Sequence, residues 1–151
     1  MKFFVGVTDN EWFRSLSGLD APEEVNFWQP RGPRPFRALA PGDLFLKLHW
    51  PHNYVVGSGT YTYAPPTGLP VSLAWEAFGE NNGAPSFERM LERIAKYRDA
   101  GRPGRAEYDI GCIILTDPFF FPEDDWIPAP EDFARNFLVI DQETSGSWPS
   151  P

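Results

Sequence analysis

Cysteine is almost missing from this chain: Cys112 is the single one in 151 residues, which excludes an internal disulfide framework and a multi-cysteine metal site. It lies in the apolar run IGCIIL (110–115), where a buried, inert thiol is the expected state. Histidine is nearly as scarce, with His49 and His52 only. Their His-x-x-His spacing can hold a metal, but no third ligand stands at a recognisable distance, so no metal site is expected. A Ser nucleophile elbow and a Gly-rich phosphate loop are both lacking; Gly57-x-Gly59 has no third glycine and opens no helix. The run Glu123-Asp124-Asp125, bracketed by Pro122 and Trp126, reads as a solvated turn rather than an acid–base or metal cluster. No catalytic residue and no cofactor is expected. No apolar stretch approaches a membrane span, and Met1–Val7 is too short for a signal peptide, so a cytoplasmic protein without membrane contact is expected.

What the chain has in plenty is aromatic side chains, 24 of them, and 17 prolines. The first suit strands and flat stacking surfaces, and the second favour edges and loops over long helices. The formal charge is −8, but it is unevenly spread. Residues 25–105 hold ten Lys/Arg against six acids, a net of +4, while the two ends together carry −12. Such a molecule can present one basic face to phosphate. An ordinary acidic protein with a solvated helix is the competing reading.

Lys2–Val7 (KFFVGV) reads as a strand, followed by caps at Thr8-Asp9-Asn10 and a short helix through Trp12, Phe13 and Leu16 that ends near Gly18. Val25–Trp28 is a second strand, leading into QPRGPRP (29–35), a segment too rich in proline for regular structure. Leu44–His49 and Tyr54–Tyr63 are strong strands, the latter with Gly57 and Gly59 marking a bulge or close backbone approach. Pro70–Phe78 predicts a short helix. Phe87, Met90, Leu91 and Ile94 give Phe87–Arg98 one core-facing stripe behind a Ser86 cap, with Arg89, Arg93 and Lys96 on the other side. Ile110–Leu115 is a buried strand, with Phe119–Phe121 a continuation past Pro118; from Pro122 on, acids, prolines and aromatics alternate as a strap. The inventory predicts an α+β, mainly β domain: a small, curved, partly closed barrel of five or six strands with two or three short helices. Residues 1–141 form the domain, and 142–151 a flexible tail or linker.

Six stretches carry a resemblance: KFFVGVTDNEWF (2–13), EVNFWQP (24–30), RPFRALAPGD (34–43), KLHWPHNYVVGSG (47–59), LPVSLAWEAFGENNGA (69–84) and IGCIILTDPFFFPEDDWIPAPED (110–132). Together they resemble the N-terminal PUA-like (EVE/YTH-like) reader domain of bacterial HNH restriction endonucleases of the modification-dependent, type IV kind. That resemblance implies a PUA-like pseudo-barrel which binds double-stranded DNA, flips out a modified cytosine, most simply 5-methylcytosine, and targets a fused HNH nuclease. The nuclease's His-rich motif is absent from these residues.

By the same likeness, the base pocket would be built from the end of the first strand, the Trp-bearing segment and the following strands. Thr8 and Asp9 would then bond the base edge, Asp9 accepting from the cytosine amine; the plain alternative for Asp9 is helix N-cap. Trp28 with Phe27 would form a stacking wall, against the alternative of core packing. Asn26 and Gln29 would read an edge or brace the loop, His49 would line the pocket and Trp75 would close it, with structural roles as the alternatives. Arg31, Arg34, Arg37 and Lys47 would meet the DNA backbone. Two other functions compete: a protein-interaction module that positions the nuclease through the acidic, Pro-rich segment from 122 onward, and an RNA- or small-ligand-binding domain.

Overall fold

The computed structural model describes residues 3–32, 44–49, 54–98, 109–128 and 138–141. Strand β1 (Phe3–Thr8) leads into helix α1 (Asn10–Ser17), then β2 (Glu24–Gln29), β3 (Leu44–His49) and β4 (Tyr54–Tyr63). The two-residue strand β5 (Leu69–Pro70) precedes α2 (Val71–Phe78), a 3-10 turn (Gly79–Asn82) and α3 (Phe87–Arg98). Strand β6 (Asp109–Phe120), a second 3-10 turn (Glu123–Asp125), β7 (Ile127–Pro128) and β8 (Leu138–Asp141) complete the order. The α+β, mainly β class expected from the sequence is the class observed.

Six strands form a hydrogen-bonded path, β2-β6-β4-β3-β1-β8, with β5 attached to β6 and β7 to β4. Among the described residues it is an open sheet, ending at β2 and β8. β1 lies parallel to both β3 and β8, and the other pairs are antiparallel. Register shifts at Lys47/Leu48, Ser58/Thr60 and Tyr61/Tyr63 bend the middle strands, since each bulge adds local twist and curl. Gly57 is required at one of these crossings: a Cβ there would stand 2.2 Å from the Phe119 carbonyl oxygen.

The core lies where α1 and α3 meet β2 and β6. Trp12, Leu16, Phe27, Trp28, Met90, Ile94, Ile113 and Leu115 are all buried there. Each contributes roughly 1.5–3 kcal/mol by leaving water. Trp12 meets Phe27 edge to face, ring centroids 5.5 Å apart. β2 is buried at five successive positions, Val25 to Gln29, so it is covered on both faces rather than on alternate ones. Asn82 gathers the polar groups of this region, although the buried Asn26 Oδ1 has no hydrogen-bond partner among the described residues. Its side chain donates to the Ala74 and Gly79 carbonyls (3.0 and 2.8 Å) and accepts from Asn26 Nδ2 (3.0 Å), while its own carbonyl accepts the Trp28 indole N–H at 2.6 Å.

Candidate functional site

Two helix starts frame the site. Asp9 caps α1, its Oδ1 accepting the Trp12 backbone N–H at 3.0 Å, and Ser86 caps α3 by accepting from the Arg89 N–H at 3.1 Å. The helices then face one another across a polar recess of about 250 Å³ lined by Asp9, Asn10, Glu11, Arg89, Glu92, Arg93, Lys96 and Tyr97.

Charge pairing fixes its walls. Asp9 Oδ2 accepts the Tyr97 hydroxyl proton at 2.9 Å and forms an ion pair with Arg93. Arg93 is 4% exposed, and its guanidinium also reaches Glu11 at 3.3 Å. Arg89 binds Glu11 through two nitrogens and Glu92 through a third, at 2.7 Å; bonding first to Glu11 and then to Glu92 holds its pKa above the ordinary guanidinium value. The Arg93 guanidinium carbon stands 5.7 Å from the centroid of the Trp28 ring. A planar cation therefore sits between a carboxylate and an indole face, a cation–π geometry reinforced by an ion pair.

Of the residues expected to form a base pocket, Asp9 alone among those with described side chains lines this recess. It caps the helix, as its plain reading held, and its second oxygen faces the recess partners as well. Trp28 is corrected from an open stacking wall to a core residue: it is 1% exposed, bonded to Asn82 and covered by Arg93. Phe27 is likewise core, locked edge-on to Trp12. Asn26 and Gln29 are buried and brace rather than present an edge, Asn26 through Asn82 and Cys112 Sγ (3.4 Å), Gln29 by packing over Gly111. Trp75 is half-buried against the core, 6.2 Å from the Phe87 ring, and is not among the residues lining the recess between α1 and α3. The misreading has a physical source. The loop after Gln29 made the end of β2 look peripheral, whereas the strand is covered on both faces.

Thr8 and His49 are brought together as Cα partners at the ends of β1 and β3, and Lys47 stands opposite Gly6 and Gly57 in the ladder. Arg31 is exposed just beyond β2. Arg34, Arg37 and His52 lie outside the described residues. Sequence reasoning missed Arg93 and Tyr97. Arg93 was assigned to the solvated side of α3 with Arg89 and Lys96, yet it is turned inward. The signal was present in the helical spacing: Arg93 is three residues from Met90 and four from Tyr97, which puts it at the margin of the apolar stripe. The basic bias of 25–105 is also partly neutralised in the fold, because Arg89 and Arg93 are paired with carboxylates and Arg98 donates to the Asp109 carbonyl at 2.8 Å.

Among the described residues no group of three or more His, Cys, Asp or Glu converges on a metal-sized site, and no helix is long and apolar enough to cross a membrane. Compared with known proteins, the chain matches no family model and no curated protein sequence.

Proposed function

We propose that this domain reads DNA by accepting an extruded, modified cytosine in the recess between α1 and α3. One observation carries the reading: Arg93 places a flat, hydrogen-bonding cation between the Asp9 carboxylate and the Trp28 ring. A cytosine that displaced Arg93 would offer the same two surfaces, an exocyclic amine for the carboxylate and a π-face for the buried indole that Arg93 now covers. The nucleotide also brings a phosphate, to which a displaced Arg93 would transfer its charge-assisted bonds. Asp9 keeps the Trp12 N–H and the Tyr97 hydroxyl through that exchange. The likeness of residues 2–132 to restriction-enzyme reader domains supports the same function, with a fused nuclease as the effector.

Binding to duplexes carrying 5-methylcytosine or plain cytosine, at about 50 mM salt, tests this. A buried methyl group is worth about 1 kcal/mol, so the wild-type protein should prefer the methylated duplex by roughly fivefold. Asp9→Asn should lose at least about tenfold in affinity by removing the charged acceptor. Equal affinity for both duplexes would remove modification from the reading, and no binding at low salt would remove DNA.

A further inference from the structure

A second surface, independent of the recess, lies at the far end of β6. Phe119 is 56% exposed and Ile127 52%, and Phe119 packs edge-on against the half-buried Phe121 with ring centroids 5.3 Å apart. The backbone that carries them is pinned. Phe121 donates its backbone N–H to Val56, its carbonyl accepts the Trp126 indole N–H at 3.0 Å, and Ile127 is paired with Val55 in the sheet. Adjoining solvent-facing apolar groups on pinned strands are a surface that a partner can cover.

The charges around them select the occupant. Residues 109–128 contain five acids and no Lys, Arg or His, and β4 carries no charged residue at all. Asp117 and the Glu123–Asp125 turn flank the phenyl pair, and all four of these carboxylates are exposed. None of them forms a salt bridge among the described residues. Phosphate would be repelled from such a surface, and a cationic partner attracted. Shape points to an extended one: β2 accompanies β6 only to Thr116, so Phe119 and Phe120 pair with β4 on one side and with no strand on the other among the described residues. An added strand would set alternate side chains over Phe119 and its neighbours.

We infer that this corner of β6 and β7 docks an extended basic peptide segment of a partner protein, with apolar side chains covering Phe119 and Ile127 and cations meeting the Asp117 and Glu123–Asp125 carboxylates. The probe is a fluorescein-labelled peptide of alternating arginine and leucine, read by anisotropy against the same peptide with glutamate in place of arginine. The arginine peptide should bind and the glutamate peptide should not. Phe119→Ser, which leaves the charge unchanged, should weaken binding at least about fivefold, and Ile127→Ser serves as a second variant should the first lower the Tm. Charge reversal by Glu123→Lys with Asp124→Lys should weaken it at least about tenfold. Equal binding of the two peptides, or a full-affinity Phe119→Ser or Ile127→Ser variant, would overturn the inference. So would no binding of the arginine peptide, or loss of DNA affinity with retained peptide affinity in the Phe119→Ser protein. The recess is untouched by these substitutions, so duplex binding in the same variants reports separately on the base-reading function.

Discussion

Asn82 illustrates how much one polar side chain can hold. Its amide satisfies two carbonyls at the end of α2, and its Oδ1 receives Asn26 from the middle of β2. Asn82→Ala deletes three bonds at once: it leaves the Asn26 amide with Cys112 Sγ alone and takes one donor from the buried Ala74 and part-buried Gly79 carbonyls. We expect a loss of about 2–4 kcal/mol, read as a lower urea midpoint with unchanged slope. Nothing in the sequence marked Asn82, because an Asn-Asn pair between glycines usually reads as a turn. Asp9 was more legible: its position before α1 fixed the cap, while the pairing with Arg93 and Tyr97 depends on a helix some eighty residues away. Local chemistry can be read along the chain, and partners across the fold cannot.

At the scale of elements, the regular segments were the readable ones. β3, β4 and α3 have the bounds predicted for them, and in α3 the apolar stripe and the Ser86 cap agree. β6 runs on from the IGCIIL segment through Pro118 to Phe120, the continuation expected past that proline, though it stops one residue short of Phe121. A proline interrupts a ladder unless a bulge absorbs it. Asp117, at φ +48°, and Pro118 together oppose the single residue Gly59, so the missing N–H costs no regular pair. The same crossing supplies a prediction. Gly57→Ala puts a methyl group onto the Phe119 carbonyl, which belongs to backbone and cannot swing aside, whereas at Gly59 the nearest atom is the Leu115 Cβ at 3.1 Å. Gly57→Ala should therefore destabilise by about 3 kcal/mol and Gly59→Ala by about 1 kcal/mol, measured by thermal unfolding of the two variants.

For the molecule as a whole, acid and base limits follow from its buried groups. Burial pushes the Cys112 thiol up to about 11, the Asn26 amide offsetting part of the effect. Burial also raises Tyr61. Both groups keep their protons in the folded state at a pH where the unfolded chain has released them. Stability is thus unaffected by them below pH ~9 and falls as pH climbs toward 11, by up to about 3 kcal/mol for the thiol. Urea midpoints across that range should decline, and the decline should shrink in Cys112→Ala. The sequence allowed the buried thiol to be foreseen from its apolar neighbours, but not the sheet order, in which the first and last described strands are neighbours.

That neighbourhood sets a timetable for synthesis. β1 leaves the ribosome before the other described strands, yet its hydrogen-bonding partners are residues 44–49 on one side and 138–141 on the other. At 5–20 residues per second, the second edge of β1 stays uncovered for roughly 7–27 s after β1 itself emerges. Throughout that interval the nascent chain offers an aromatic strand edge to any neighbouring polypeptide, the situation in which a growing protein most depends on chaperones.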